Sequence, residues 1–165
     1  MKRHVFTFGT LYEDGIIQAL LGSVPDNFYA SLPGHAMYKG AFSELPEKMQ
    51  AVFSARGYDD TNFSYLFVKS DPNAELIEGK AYAIDLRQEL ILDHWEWYPD
   101  WYRKQAVAIQ SSDEKEYEAF VYTLDYQGER LSDFKRVVND PMKVMEAAKA
   151  TREKVIDKFP EAFRK

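Results

Sequence analysis

The amino-acid sequence predicts an α+β fold: a small mixed β-barrel or curled sheet with flanking helices. Short runs of β-branched and aromatic residues recur along the chain and are separated by turn residues, as strands are. Other stretches change to the apolar spacing of an amphipathic helix. Because the strand-like runs dominate and helices stand among them, this order favours a curled sheet or barrel.

The first part of the chain predicts extended segments and two helices. Residues 5–8 are a β-branched and aromatic run, typical of a strand that enters a core. The stretch DGIIQALL has helical apolar spacing and is expected to end near Gly22. FYASLPGHAMYKGAF predicts two extended pieces that are broken at Pro33-Gly34, a strong turn signal. SELPEKMQAVFSARGYDD is less regular, and we expect a short helix within it.

The remaining strand-like runs are NFSYLFV, EGKAYAIDL, YRKQAVAIQ and YEAFVYTLDY. The polar loop KSDPNAE separates the first two of these runs, and the polar turn SSDEKE separates the last two. Four segments of the whole chain are expected to share one sheet or barrel: Val5–Phe8, Lys80–Asp85, Arg103–Ile109 and Ala119–Leu124.

Two further helices are predicted in the second half of the chain. RQELILDHWEWY has a helical spacing in which Leu90, Ile91 and Trp95 can share one buried face. A C-terminal helix is expected from about residue 140, with Asp140 as a plausible N-cap and Pro141 at the tolerated first position.

Length and charge exclude several classes of partner. The 165 residues fit one domain, 1–165, which is long enough to bury a core without metals or disulfides. A net charge of −6 and a pI near 5.1 argue against nucleic acid, since no basic stripe can neutralise phosphates. With no signal peptide and no apolar run of the roughly 18 residues that a membrane span needs, we expect a cytoplasmic protein without a membrane partner.

Cysteine and histidine usage argues against a metal site. The chain has no cysteine, which excludes disulfides, thiolate catalysis and cysteine-based metal sites. His4, His35 and His94 are scattered without metal-ligand spacing, so we expect ordinary surface or turn positions for them.

The clearest candidate for chemistry is the stretch LDHWEWYPDWYR. Asp93 and Glu96 lie three residues apart on a predicted helix, so they point to neighbouring faces of one turn. Aromatic residues surround Glu96 in sequence: Trp95, Trp97, Tyr98, Trp101 and Tyr102. A carboxylate among aromatic rings is desolvated, which raises its pKa toward the range of a general acid/base. The alternative is that Glu96 faces water at a helix end while the tryptophans fill the core. Asp93 is expected to cap or pair locally.

The turn that follows the first strand is the second candidate. Gly9 has no Cβ, so a ligand can approach the backbone closely, and consecutive N–H groups at a strand end form an anion nest. The N-terminus of a following helix would add a favourable dipole. The alternative is a tight turn that serves packing alone.

Four fragments stand in order along the chain: VFTFGTL, GKAYAID, LDHWEWYPDWYR and AFVYTL. The first is similar to an aromatic followed by Gly-Ser/Thr-Leu, the second to a Gly-x-x-Tyr strand. The third is similar to Leu-Asp-x-x-Glu followed by a Tyr and often an Arg, and the fourth to a late Ala-x-x-Tyr strand. Together they resemble the γ-glutamylcyclotransferase-like family, which includes the plant avirulence-induced-gene-like proteins. Residues 44–64 and the helix after Asn139 are less well covered.

The resemblance implies a small mixed barrel and, in catalytic members, release of 5-oxoproline from γ-glutamyl compounds. The α-amine of the substrate attacks its own γ-carbonyl. The family's catalytic glutamate falls on Glu96. The substrate-binding positions fall on Phe8, Gly9, Thr10, Leu11, Tyr102 and Tyr122. On this basis we expect a cyclising acyltransferase that acts on a small-molecule γ-glutamyl substrate and requires no metal or cofactor.

Two positions depart from the family pattern. Phe8 stands where a Tyr is common, so any hydrogen bond from that hydroxyl is missing. Trp97 replaces a Gly that is frequent after the glutamate, which changes the shape of the pocket.

Three functional hypotheses follow from these residues. Glu96 favours an enzyme, since a pure binding pocket has no need of a desolvated carboxyl. Phe8 and Trp97 favour a non-catalytic ligand-binding or interaction module that keeps the same barrel and pocket. A third hypothesis is an aromatic protein–protein adaptor, which requires the rings of Trp95, Trp97 and Trp101 as an exposed patch.

Overall fold

The computed structural model describes residues 1–131 and 139–164, and this part of the chain holds eight strands and five α-helices. The strands are β1 (Arg3–Thr7), β2 (Asn27–Leu32), β3 (His35–Ala41), β4 (Ser64–Ser70), β5 (Ile77–Ile84), β6 (Arg103–Ser111), β7 (Glu116–Thr123) and β8 (Glu129–Arg130). The helices are α1 (Asp14–Leu21), α2 (Glu47–Ala55), α3 (Leu86–Trp95), α4 (Pro141–Lys158) and α5 (Pro160–Phe163).

Five strands close into a mixed barrel in the order β1-β5-β2-β6-β7. Four neighbouring pairs are antiparallel, and the parallel pairing of β1 with β7 completes the closure. Val5 stands opposite Tyr82 of β5 on one side and opposite Phe120 of β7 on the other. Strands β4, β3 and β8 form a second, antiparallel sheet.

The barrel confirms the predicted fold class. The four runs that were expected to share one sheet supply β1, β5, β6 and β7, each within a few residues of the predicted bounds. The two extended pieces on either side of Pro33-Gly34 are β2 and β3. They belong to different sheets, because the turn carries the chain out of the barrel and into the second sheet.

Carboxylate caps set the first residues of two helices beside the barrel. Asp85 accepts hydrogen bonds from the N–H groups of Arg87 and Gln88, both at 2.9 Å, and so begins α3. Asp140 accepts from the Met142 N–H at 3.0 Å and begins α4, as predicted. Such caps stabilise a helix by about 1 kcal/mol because they satisfy N–H groups that have no partner inside the helix. Helices α1 and α3 pack against α4.

No α-helix within residues 1–131 and 139–164 is long and apolar enough to cross a membrane.

Helix α3 is shorter than the sequence predicts. Helical spacing runs through residues 87–98, but the helix ends at Trp95, and Trp97 adopts a left-handed φ of 54°. Leu92, which was outside the predicted buried face, is fully buried, whereas Trp95 is half-buried. The predicted face is confirmed in part, since Ile91 is buried and Leu90 and Trp95 pack half-buried against the core, and Leu92 extends it. Glu96 lies at the C-terminal end of the helix.

Large apolar side chains fill the space between the barrel, the second sheet and the helices. Phe6 and Tyr82 of the barrel, Phe67 of β4 and Leu20 of α1 are each at most 2% exposed. Full burial of such a side chain stabilises the fold by roughly 1.5–3 kcal/mol. The core thus links all of the layers that surround the candidate site.

Gly79 on β5 is required where two barrel strands approach closely. A Cβ at this position would overlap the Thr7 carbonyl oxygen and the Phe6 ring. We therefore expect Gly79→Ala to lower the free energy of unfolding by roughly 1–3 kcal/mol, as overpacking does. Gly15→Ala on α1 is the matched control, because its Cβ would meet the Met145 Cε at an ordinary 3.5 Å. Urea unfolding measures both variants, and equal midpoints would contradict the expected overlap.

Candidate active site

A cavity of about 540 Å³ opens between the end of β1, the segment after α3 and helix α4. All seven residues expected to be catalytic or substrate-binding line this one cavity: Phe8, Gly9, Thr10, Leu11, Glu96, Tyr102 and Tyr122. They come from three parts of the chain, namely the turn after β1, the segment between α3 and β6, and strand β7. The closed barrel brings these parts together.

The turn after β1 presents backbone to the cavity. Residues Thr10–Tyr12 form a 3-10 turn in which the Tyr12 N–H donates to the Gly9 oxygen at 3.0 Å. Such a turn leaves its first N–H groups without acceptors inside the turn. A Cβ at Gly9 would lie 3.8 Å from the nearest side chain, that of Leu66, so the surrounding packing does not require a glycine. The missing side chain leaves the backbone open to a ligand.

Glu96 lies at the C-terminal end of α3, with its side chain half-buried in the cavity lining. Its N–H donates to the Leu92 oxygen at 2.9 Å, and its own backbone oxygen accepts from the Tyr102 N–H at 3.4 Å. Burial, and to a smaller extent the charge of Asp93, raises the pKa of Glu96 to about 8. A carboxyl with this pKa can both release and take up a proton near neutral pH.

Trp97 gives a structural reason for the glycine that the family frequently has at this position. Its φ of 54° lies in the left-handed region, which glycine adopts without steric cost. A residue with a Cβ pays roughly 1–2 kcal/mol there. This chain adopts that conformation with a tryptophan, whose indole ring lines the cavity.

Tyr102 and Tyr122 line the cavity with hydroxyl groups that already have partners in the protein. The Tyr102 hydroxyl donates to the Leu66 oxygen at 2.8 Å, and the Tyr122 hydroxyl donates to Asp93 Oδ1 at 2.6 Å. Burial raises the pKa of both phenols well above their ordinary value. Both rings therefore stay neutral and shape the wall, whereas Glu96 can exchange protons.

A chain of ion pairs joins α3 to the barrel. Lys104 Nζ on β6 lies 2.7 Å from Asp93 Oδ1 and 2.6 Å from Glu89 Oε1. Arg3 Nη1 on β1 lies 2.9 Å from the same Glu89 oxygen. The expectation that Asp93 pairs locally is wrong, since its partners stand on β6 and β7. Within the described residues no cation forms an ion pair with Glu96, which agrees with its raised pKa.

The role of Lys104 was not foreseen from the sequence. In the sequence Lys104 is a lysine next to an arginine in a strand-like run, and a lysine in such a position is most often exposed to solvent. Its side chain is only 18% exposed because α3 covers it with two carboxylates. Pairing between distant elements of this kind leaves no local pattern in a sequence.

Two of the three histidines, His35 and His94, lie within hydrogen-bonding distance of backbone oxygens. His35 is buried, and its Nδ1 lies 2.9 Å from the Pro33 oxygen, so the expectation of a surface or turn position is only partly right. His94 lines the cavity, with its Nδ1 2.9 Å from the Leu90 oxygen. Across residues 1–131 and 139–164, no group of three or more potential metal-ligating side chains occurs.

Residues 5–137 match the sequence model of a protein family described as gamma-glutamyl cyclotransferase, AIG2-like. Because the match spans most of the chain, the protein belongs to this family. The matched part includes the turn after β1, the segment around Glu96 and all of the barrel except the first two residues of β1, and it ends before α4. A comparison with curated protein sequences found no match.

Solved structures share the fold. A gamma-glutamyl cyclotransferase aligns over 98% of this chain and 86% of its own, with a TM-score of 0.61 at 11% identity. A solution structure of an Arabidopsis thaliana protein aligns over 96% and 88%, with a TM-score of 0.56 at 18% identity. An AIG2-like protein from Mus musculus aligns over 76% and 80%, with a TM-score of 0.51 at 19% identity. At these identities the likeness shows the fold alone.

The raised pKa of Glu96 makes the stability of the protein depend on pH. The folded state keeps this proton up to about pH 8, whereas the unfolded chain loses it near the ordinary value of 4.5. Between these values the folded state binds more protons, so the free energy of unfolding falls as the pH rises, by at most about 1.4 kcal/mol per pH unit. We expect Glu96→Gln to abolish this fall, which urea unfolding at a series of pH values measures.

In that series the gain in stability of Glu96→Gln over the wild type should grow from about pH 5 to about pH 8. Glu153→Gln, at an exposed position of α4, is the control and should show no such trend. A difference that stays constant across the series would mean that Glu96 titrates near its ordinary pKa.

Proposed function

We propose that the protein is a γ-glutamyl cyclotransferase that releases 5-oxoproline from a γ-glutamyl amine or γ-glutamyl peptide. The observation that carries the proposal is the position of Glu96, a carboxyl with a pKa of about 8, in the same cavity as the backbone turn at Gly9. Membership of the gamma-glutamyl cyclotransferase, AIG2-like family supports this class of reaction.

In the proposed reaction, ionised Glu96 takes a proton from the α-ammonium group of the substrate. The free amine attacks the γ-carbonyl carbon, and the new C–N bond closes a five-membered lactam. The C–N bond to the leaving amine then breaks, and Glu96 returns the proton to the leaving nitrogen. The attacking nitrogen also loses its second proton, which the released amine takes up to leave as an ammonium ion. One C–N bond forms, one C–N bond breaks, and the carboxyl ends ionised, as it began.

The turn after β1 has the chemistry to orient the substrate for this attack. In the proposal the N–H groups of Gly9, Thr10 and Leu11 hold the α-carboxylate, which fixes the α-amine beside the γ-carbonyl. Ring closure within one molecule gains most of its speed from such orientation, because little further entropy is lost in the transition state. Glu96 then has only protons to move.

A non-catalytic ligand-binding module on the same fold is the second candidate. Two observations favour it. Phe8 brings no hydroxyl group to the cavity, and Trp97 places a large ring where the family frequently has glycine. The retained carboxyl with its raised pKa supports the enzyme instead, since binding alone does not need a group that is costly to ionise. The third hypothesis, an adaptor, lacks its exposed patch: Trp101 is buried, and Trp95 and Trp97 are half-buried against the core.

Substitution of Glu96 tests the proposed acid/base role. Glu96→Gln keeps the shape of the side chain but cannot cycle a proton, so we expect 5-oxoproline release to fall by at least roughly 10²–10⁴-fold. The assay follows 5-oxoproline released from a panel of γ-glutamyl amino acids and γ-glutamyl amines. A variant that matches the wild type on any turned-over substrate would sink the assignment of Glu96.

Asp93→Asn is the matched carboxyl variant in the same assay. It loses an ion pair with Lys104, so it should lower stability, and it should reduce turnover much less than Glu96→Gln does. The charge of Asp93 contributes to the raised pKa of Glu96, so the rising limb of the pH–rate profile should move to lower pH. If the wild type binds a panel member tightly and releases nothing from any member, the binding-module hypothesis replaces the enzyme.

Gly9→Val tests the proposed cradle. The Cβ at this position would not collide with the protein, so we expect a folded variant whose side chain covers the backbone N–H groups. Substrate binding should be lost while the urea midpoint stays close to that of the wild type. Isothermal titration with a γ-glutamyl compound measures the affinity, and an unchanged dissociation constant would assign the turn to packing alone.

A further inference from the structure

Five aromatic rings form a part of the cavity wall that the proposed proton transfers do not use. The Phe53 ring centroid lies 4.7 Å from that of Phe63, 6.3 Å from that of Trp101 and 6.5 Å from that of Trp97. The Tyr58 ring lies 5.1 Å from that of Phe63. All five side chains line the cavity, and we call them the aromatic wall.

The aromatic wall adjoins Glu96. Trp97 follows Glu96 directly in the chain, and the Trp101 ring lies 4.6 Å from the ring of Tyr102. The Tyr102 N–H in turn donates to the Glu96 backbone oxygen. Because Glu96 must return a proton to the leaving nitrogen, the group on that nitrogen has to lie near Glu96. The aromatic wall is therefore within reach of the leaving amine.

The cavity is larger than a γ-glutamyl group requires. Its volume of about 540 Å³ suits a drug-sized ligand, since such sites measure roughly 300–1,000 Å³, whereas a γ-glutamyl group is the size of one amino acid. Helix α4 adds the small side chains of Ala147, Ala150 and Thr151 to the lining. This helix lies outside the residues that match the family model, and its side chains enlarge the cavity beyond the turn after β1 and Glu96.

Polar groups at the aromatic wall favour an anionic ligand. The Arg56 guanidinium carbon lies 5.7 Å from the centre of the Phe53 ring, and Arg56 lines the cavity. No carboxylate of the described residues forms an ion pair with it. The Trp101 indole N–H is buried and has no hydrogen-bond partner among the residues that the structure describes. Buried donors are nearly always satisfied, so an acceptor supplied from the cavity would suit it.

The remaining charges of the lining point the same way. Lys154 and Lys158 add two cations, against the two carboxyl groups of Glu96 and Asp100. Glu96 is uncharged below about pH 8, so the lining then has an excess of positive charge. A leaving group that carries a carboxylate is attracted to such a site, and a cationic one is repelled.

We propose that the aromatic wall binds the leaving amine, and that this amine is an α-amino acid with an aromatic or large apolar side chain. The side chain packs on the wall, and the carboxylate of the amino acid lies at Arg56. The inference rests on the proposed cyclotransferase function and names the substrate within it.

Three substrates test the inference: γ-glutamyl-phenylalanine, γ-glutamyl-alanine and γ-glutamyl-phenethylamine. We expect kcat/KM to be roughly 10–100-fold higher for the phenylalanine compound than for the alanine compound, because the ring buries more apolar surface. The phenethylamine compound keeps the ring but lacks the carboxylate, so it should also be slower than the phenylalanine compound.

Three variants of the protein test which residues contact the leaving amine. Ala147→Trp fills the part of the cavity that α4 lines, so turnover of the phenylalanine compound should fall at least about tenfold while that of the alanine compound changes little. Glu146→Trp adds the same ring at an exposed position of α4 that does not line the cavity, and should leave both rates unchanged. Arg56→Gln should slow the phenylalanine compound and leave the phenethylamine compound unaffected.

The outcomes separate this inference from the function on which it rests. Equal kcat/KM values for the phenylalanine and alanine compounds would overturn the leaving-group assignment and leave the cyclotransferase standing. The same holds if Ala147→Trp slows both compounds equally. Release of 5-oxoproline from none of the three compounds, with none of them binding in a calorimetric titration, would overturn the inference and count against the proposed function.

Discussion

Helix α3 is attached to the barrel by one chain of charged and hydrogen-bonded groups. Arg3 and Lys104 share Glu89, and Lys104 and Tyr122 share Asp93. The Glu89 side chain is only 8% exposed, and loss of one partner from such a buried pair costs about 3–5 kcal/mol because a charge is left uncompensated. The end of α3 takes its position from this arrangement, and the candidate site therefore depends on side chains that mostly lie outside the cavity.

Glu96 stands only three residues from Asp93 but in the opposite electrostatic situation. The partners of Asp93 stabilise its charge, whereas burial without a cation destabilises the charge of Glu96. The negative charge of Asp93 destabilises the ionised form of Glu96 further. The same unfavourable ionisation that lowers stability at high pH gives the carboxyl a pKa suited to proton transfer. Stability and the proposed chemistry are thus opposed at this one residue.

Much of the fold could be predicted because its signals are local. The run Val5–Phe8, the turn at Pro33-Gly34 and the cap at Asp140 each depend on a few neighbouring residues, and each is present in the structure. The end of α3 could not be predicted in the same way. Helical apolar spacing continues past Trp95, but the left-handed backbone at Trp97 interrupts it. Bulky residues rarely adopt that conformation, so nothing in the local pattern announced it.

By itself, the sequence determined the class of fold and the order of β1 to β7 and α1 to α4, since periodicity and caps are properties of short segments. The short elements β8 and α5 were not predicted, and the site residues were proposed from family motifs. Only the tertiary structure decided which sheet each of β2 and β3 joins, which partners Asp93 has, and that α4 completes the cavity beside the aromatic wall. These features arise from contacts between residues that are distant in the chain. Such contacts depend on how the barrel closes, and a one-dimensional pattern does not contain that information.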